Sequence, residues 1–217
     1  MKIYELRKAE KNAKGIIFHN VSQFGEDKVF RYRSIRVGLN FPTGGVPAYL
    51  LACGEEVEDE LESSPRPLIR AIEDVELESL SPDALFDKAT DLYSLYLCDT
   101  LYLDGRRENF KQGLWTYLDS RNLSKVRVFD APFIEDTSYR YGLVDSWNTS
   151  GDLSIPKDWP LFQEMKSVSR ADLSNHPEEK FFRLNCLSYV ISGFEKYSSA
   201  PPLIVKVGPM GRPSWMR

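Results

Sequence analysis

The chain has few of the residues that build metal centres and cross-linked folds. Among its 217 residues are two histidines, His19 and His176, and three cysteines, Cys53, Cys98 and Cys186. Two histidines that far apart cannot form a histidine-rich zinc site. Three widely spaced cysteines argue against a disulfide framework and against a paired-cysteine metal site, so we expect a reducing compartment.

Long apolar runs and the common catalytic motifs are also missing. No apolar run approaches the roughly 18 residues that a membrane-spanning helix needs, and residues 1–10 (MKIYELRKAE) lack the apolar stretch of a secretory signal. The sequence contains no G-x-x-x-x-G-K-[S/T], G-x-G-x-x-G, G-x-S-x-G or H-E-x-x-H. We therefore predict a cytoplasmic protein without a membrane partner, and we expect neither a P-loop ATPase nor a dinucleotide enzyme.

The charge balance is mildly acidic but uneven along the chain. Lys and Arg total 28 and Asp and Glu total 32, which gives a formal net charge of -4. Six of the acids fall within residues 55–62, whereas Arg106, Arg107 and Lys111 follow closely after Asp104. The total argues against a protein that binds nucleic acid with its whole surface, but it is compatible with a local basic groove.

The first 80 residues carry strand patterns separated by turns. Within residues 28–40, apolar side chains recur with a period of two, as expected of a strand. Two prolines and two glycines in residues 41–47 predict a turn, and the acidic residues 55–62 predict a solvated hairpin tip. Strands are predicted at residues 15–22, 28–40, 48–54 and 67–77, of which the last three form an antiparallel meander.

Helical patterns begin at Ser81 and alternate with short strands. Ser81, Pro82 and Asp83 supply an N-cap, a proline at the first helical position and an acid in the first turn. Further helices are predicted at residues 108–120, 139–147, 160–168 and 175–194, with strands at 100–104 and 126–129 and a polar loop at 148–156. Because strands separated by helices run parallel, the predicted fold class is α/β: a mixed sheet, antiparallel and then parallel, with flanking helices.

We predict a single domain over residues 1–202, followed by a tail. Residues 203–217 contain Pro, Gly, Trp and Arg after a short apolar run. This tail is expected either to be mobile or to dock on a protein partner.

Three short motifs stand at informative places in this order. Residues 37–49 (VGLNFPTGGVPAY) end a strand before a Gly-rich turn and a second strand, residues 101–105 (LYLDG) end a strand with an acid, and residues 176–180 (HPEEK) open the last predicted helix. The element order resembles that of ribonuclease H-like folds. Over residues 29–197 the chain resembles the nuclease domain of phage large terminase subunits, in which the first-strand motif ends G-x-D.

The resemblance implies a Mg²⁺- or Mn²⁺-dependent endonuclease that acts on DNA, in the context of phage DNA packaging. It implies catalytic roles for Asp104, Glu178 and Glu179, with Asn40, Asp104 and Glu179 as metal ligands. Carboxylates from neighbouring strand ends and a facing helix are what a pair of divalent cations needs. Arg106, Arg107 and Lys111 would then lie where the phosphate backbone passes.

Asn40 departs from the family pattern, because the family has Asp at this position. An amide oxygen can coordinate a metal but brings no charge, so the alternative is a nuclease-like domain that has lost catalysis and serves as an interaction or assembly scaffold. Glu73 or Asp74 could compensate only if its side chain points the same way. Structural roles also fit: a turn for Asn40, a strand-ending turn for Asp104 and a helix dipole for Glu178 and Glu179.

Overall fold

The computed structural model describes residues 6–12, 15–21, 27–42, 46–56, 67–77, 81–104, 107–123, 125–131, 137–169 and 180–195. The strands are β1 (Leu6–Asn12), β2 (Gly15–Val21), β3 (Asp27–Asn40), β4 (Ala48–Glu56), β5 (Leu68–Leu77), β6 (Thr100–Leu103), β7 (Val128–Asp130) and β8 (Leu153–Ser154). The described helices are α1 (Pro82–Leu95), α2 (Glu108–Ser120), α3 (Thr137–Ser150), α4 (Pro160–Ser167) and α5 (Phe182–Glu195). The predicted acidic hairpin tip and the tail lie outside the described residues.

The described strands form one eight-stranded sheet built outward from β3. β3 pairs antiparallel with β4, and β4 with β5, which confirms the predicted meander. β6 runs parallel to the second half of β3, and β7 runs parallel to β6. Three antiparallel strands followed by two parallel ones is the ribonuclease H-like arrangement that the sequence predicts, so the α/β class with a mixed sheet is confirmed.

Two additions to the sheet were not predicted. β1 is highly charged and shows no apolar alternation, yet it pairs antiparallel with β2, which in turn pairs with the first half of β3. The predicted polar loop at residues 148–156 is wrong: α3 runs on to Ser150, and β8 pairs parallel with β5. The side chain of Leu153 is buried there and Ile69 N–H donates to the Asp152 carbonyl, so a short tertiary ladder outweighs the polar composition.

Helix boundaries follow the predicted signals where the signals are local. The Ser81 hydroxyl accepts a hydrogen bond from Ala84 N–H, as the predicted N-cap requires, and α2 spans the predicted residues. α5 begins at Phe182 rather than at residue 175, since Lys180 lies in a turn and Phe181 precedes the helix. Within the described residues, no helix combines the length and the apolar character needed to cross a bilayer.

Each face of the sheet carries its own apolar core. On one face, Val37 and Leu39 of β3 and Leu101 of β6 pack with side chains of α1 and α2. On the other, alternate residues of β4 pack with α3, α4 and α5. Because α5 is buried along most of its length, the sheet and the α3–α4 layer enclose it.

Gly38 marks a close contact between β3 and α5. A Cβ atom at this position would lie 2.6 Å from Val190 Cγ2 and 2.8 Å from the Cys186 carbonyl oxygen. Neither atom belongs to a flexible side-chain end, so any larger residue must push the helix away from the sheet.

We expect Gly38→Ala to lower the free energy of unfolding by about 1–3 kcal/mol, because overpacking forces the backbone to shift. Gly142→Ala is the control, since Gly142 is exposed on α3 with no atom near its Cβ position. That change should raise stability by about 0.5–1 kcal/mol, the usual gain from alanine in a helix. Urea denaturation of both variants tests the contact, and a Gly38→Ala protein as stable as wild type would contradict it.

Candidate functional site

The fold brings Asn40 and Asp104 together at one edge of the sheet. Leu39 and Leu103 are register partners in the parallel pair β3–β6, so the next residue of each chain, Asn40 and Asp104, occupies the adjoining position. Neighbouring strands lie about 4.8 Å apart. Both residues stand at the carboxyl ends of parallel strands, where open α/β sheets bind ligands.

Both side chains project toward the α5 face. Leu39 and Leu103 belong to the opposite core, with α1 and α2, and alternate residues of a strand point to opposite faces. Asn40 is 8% exposed and Asp104 is 7% exposed. The pair therefore sits in a largely desolvated position, where a carboxylate interacts with a cation more strongly than it would in water.

Local contacts fix the direction of each group. The Asn40 amide nitrogen donates to the Phe41 carbonyl at 3.3 Å, which directs the amide oxygen away from that carbonyl. The Phe41 ring stacks on Phe110 of α2, with centroids 4.8 Å apart, and this contact holds the strand end in place. The Asp104 carbonyl accepts Arg107 N–H at 3.1 Å, which ties the residue after β6 to the residue before α2.

The same row of the sheet continues across two further strands. Asn40 pairs with Tyr49 of β4, and Tyr49 pairs with Glu76 of β5. Asp104, Asn40, Tyr49 and Glu76 thus line one face in register, and we call them the carboxyl-end row. The sequence did not lead us to predict Glu76. Its spacing of two residues from Asp74 along β5 places both on one face of the sheet and was the signal that could have identified it.

A partly buried ionic network fixes the start of α5 beside this row. Arg183 of α5 donates to Glu76 and, at 3.0 Å, to Glu164 of α4. The second oxygen of Glu164 accepts Leu184 N–H at 2.8 Å and so caps the helix. Burial raises the pKa of Glu164 above its ordinary value, although the Leu184 N–H and the Arg183 guanidinium oppose that effect.

Glu73 and Asp74, the two acids that could replace the charge missing at Asn40, lie on opposite faces of the sheet. Glu73 accepts the Tyr96 hydroxyl and lies on the α1 side of the sheet, away from Asn40. Asp74 lies opposite Leu51 on the α5 side and accepts the Tyr49 hydroxyl at 2.9 Å. Glu73 therefore cannot compensate for Asn40, and Asp74 is engaged by Tyr49.

Burial raises the pKa of Asp74 even though the Tyr49 hydroxyl and Arg183 favour its charged form. A carboxyl whose folded-state pKa is raised favours folding most when it is protonated, and that advantage is lost as the pH rises through the raised value. We expect Asp74→Asn, which stays neutral, to gain stability relative to wild type between about pH 4 and pH 7. Urea unfolding of wild type and Asp74→Asn at about pH 4 and about pH 7 measures this difference. A variant that loses stability relative to wild type as the pH is raised would contradict the expectation.

The residues predicted to bind DNA have different surroundings. Arg107 is exposed at the N-terminus of α2. The Lys111 ammonium donates to Asp130 at 2.7 Å, and that bond raises the pKa of Lys111. Arg106 lies outside the described residues.

The third part of the predicted site also lies outside the described residues, since these exclude His176, Glu178 and Glu179. Within the part of the chain that is described, no three His, Cys, Asp or Glu side chains group closely enough to hold a metal ion. The roles predicted for Glu178 and Glu179 therefore stay predictions.

No protein-family model and no curated protein matches the chain. Among solved structures, the g2p (large terminase) nuclease domain from bacteriophage SPP1, crystallised with bound Mn, is similar at 16% identity and a TM-score of 0.46, over 73% of this chain and 85% of that one. The large terminase nuclease from thermophilic phage G20c is similar at 12% identity and a TM-score of 0.42, over 74% of each chain. Both overlaps are partial, and neither carries a residue over to this chain.

Proposed function

We propose that this chain is a metal-dependent phosphodiesterase of endonuclease type, acting on DNA. The observation that supports it is the adjacency of Asn40 and Asp104, buried side by side at the carboxyl ends of two parallel strands. Oxygen-bearing side chains side by side at a strand edge are the kind of ligand that a divalent cation binds. The proposal includes Mg²⁺ or Mn²⁺ as the cofactor.

The chemistry of the donors fits a hard cation in part. A carboxylate and an amide oxygen are ligands that Mg²⁺ accepts, and Mg²⁺ keeps several of its waters. Asn40 and Asp104 together supply a single negative charge, so a further acid is required. We assign that role to Glu179, with Glu178 as its neighbour.

The position of α5 makes this assignment feasible. Only Lys180 and Phe181 separate Glu179 from the first residue of the helix. The Phe182 ring lies 5.9 Å from the ring of Tyr49, which pairs with Asn40, and Phe181 is buried against Tyr141. The chain therefore enters α5 beside the carboxyl-end row.

Each residue has a distinct task in the proposed reaction. A bound divalent ion lowers the pKa of water and neutralises charge that develops on the phosphate. Asp104 and Glu179 would bind the divalent ion through their carboxylates. Asn40 would position the ion through its amide oxygen without adding charge. Arg107, three residues after Asp104 and exposed, would contact a phosphate of the DNA backbone.

Nicking of supercoiled plasmid tests the proposal. Purified protein with Mn²⁺ should convert supercoiled DNA to nicked and linear forms, and EDTA should stop the conversion. Full retention of supercoiled DNA across Mn²⁺ and Mg²⁺ titrations, with the protein folded, would reject hydrolysis.

Asn40 favours one alternative, a binding scaffold without catalysis. An amide at this position avoids repulsion with Asp104 when no metal is bound. In that case a protein partner would engage residues 203–217, and deleting residues 208–217 should abolish capture of the partner without unfolding the domain. Unchanged capture by the truncated protein would count against the scaffold role.

A further inference from the structure

Phe129 is a large apolar side chain that the fold leaves exposed beside the candidate site. It is 49% exposed and lies on β7, which among the described strands pairs only with β6. Its register partner on β6 is Tyr102, two residues before Asp104. Phe129 and Asp104 therefore point to the same face, with Cα atoms about 8 Å apart.

The ring of Phe129 packs against Tyr102. Its centroid lies 6.3 Å from that of Tyr102, at an interplanar angle of 30°. Tyr102 is itself buried against α5, where a Cβ atom at Gly193 would come within 2.5 Å of the tyrosine ring. Phe129 is thus supported on one side and open to solvent on the other, so a flat partner could stack on it at a small cost in side-chain entropy.

A cation, Arg127, directly precedes β7. The Arg127 carbonyl accepts Leu101 N–H at 2.8 Å, so Arg127 continues the ladder with β6. Val128 packs toward the α1–α2 core, so Phe129, the next residue of β7, faces the other way. Arg127 is exposed directly before β7, where its N–H donates to the Tyr93 hydroxyl of α1 at 3.4 Å, and Arg127 and Phe129 form what we call the β7 strip.

We propose that the β7 strip binds one unpaired nucleotide of a DNA strand that runs toward Asp104. The inference takes DNA as the ligand from the proposed function. A base can lie flat on the Phe129 ring only when it is unstacked from its neighbours, and Arg127 would pair with a phosphate of the same strand. The strip therefore favours single-stranded or locally opened DNA over an intact duplex.

Charge supports a nucleic-acid strand over an apolar protein segment. Arg127 on the strip and Arg107, three residues after Asp104, are exposed cations. Base stacking with a nearby arginine is how proteins bind single strands without reading their sequence. An exposed arginine two residues from an exposed aromatic ring suits a polyanion.

Fluorescence anisotropy of labelled single-stranded dT20 and of a 20-base-pair duplex, both in EDTA, tests the strip. We expect wild type to prefer dT20, and Phe129→Ala to weaken dT20 binding by about 5- to 150-fold while Phe129→Tyr retains it. Leu95→Ala is the matched control, because Leu95 is also 49% exposed but lies on α1. Arg127→Ala should reduce the salt dependence of log Kd for dT20 by about 0.7, and Phe129→Ala should leave it unchanged.

The experiment separates the strip from the hydrolysis proposal, since binding in EDTA requires no metal and no cleavage. Affinity for dT20 that is equal in wild type, Phe129→Ala and Leu95→Ala would overturn the strip even if plasmid is cleaved. A protein that binds dT20 through Phe129 but never cleaves plasmid would reject hydrolysis and leave the strip standing. A dimer in sedimentation that Phe129→Ala dissociates, with dT20 binding unaffected, would assign Phe129 to a protein contact and overturn the proposal.

Discussion

Replacing Asp104 with asparagine should lower Mn²⁺-dependent cleavage of plasmid by at least about 100-fold. Asn40 brings no charge, so Asp104 is the one carboxylate that the described part of the carboxyl-end row places next to it. Removing this carboxylate weakens binding of the cation. The cation would otherwise neutralise the charge that develops on the phosphate, which lowers the activation free energy by several kcal/mol. Initial nicking rates at saturating Mn²⁺ measure the effect.

Asp130→Asn is the matched control for this change. Asp130 ends the neighbouring parallel strand β7, as the register partner of Leu103, but it faces α2 and pairs with Lys111. Since an exposed ion pair contributes little, this variant should cleave within a fewfold of wild type. Equal cleavage by wild type and Asp104→Asn would show that Asp104 takes no part in catalysis.

Asn40→Asp should have opposite effects with and without metal. With metal, a second carboxylate beside Asp104 should tighten Mn²⁺ binding by about 10- to 100-fold and raise cleavage at low Mn²⁺, because the added charge attracts the cation at short range. Without metal, two buried carboxylates on adjoining strands repel each other, so the melting temperature in EDTA should fall. Mn²⁺ should then restore it, because a ligand that binds only the folded state stabilises it.

Asn185→Asp is the control that separates metal binding at Asn40 from the general cost of burying a carboxylate. Asn185 on α5 is 1% exposed and accepts the Tyr141 hydroxyl at 3.0 Å. Asn185→Asp should also lower the melting temperature in EDTA, but Mn²⁺ should not restore it. If Mn²⁺ raised the melting temperature of both variants equally, or of neither, Asn40 would not lie in a metal site.

The fold was largely predictable because its main signals are local. The Pro- and Gly-rich turn at residues 41–47 sets the β3–β4 hairpin, and Ser81 caps α1 in the expected way. β1 was missed because it is highly charged and does not alternate, although its partner β2 follows it directly, and β8 was missed because its partner β5 lies much earlier in the chain. Neither segment carries an alternating pattern of its own, so hydrogen bonds to the partner strand decide its state.

The site was predictable only where it follows strand ends. Asn40 and Asp104 each end a strand with a recognisable pattern, and parallel pairing then brings them to adjoining positions. Glu164, Arg183 and Glu76 come from three separate elements and meet only in the folded chain. The start of α5 was misplaced for the same reason, because the acid that caps it belongs to α4 and stands twenty positions before Leu184.

Direct titration with Mn²⁺ tests the central claim, that Asn40 and Asp104 belong to one metal site. Isothermal calorimetry, with free Mn²⁺ followed in parallel by electron paramagnetic resonance, gives the affinity without requiring cleavage. The expected order of affinity is Asn40→Asp above wild type and wild type above Asp104→Asn, with Asp130→Asn equal to wild type. Wild type that binds no Mn²⁺, or an affinity that neither Asn40→Asp nor Asp104→Asn changes, would contradict the claim.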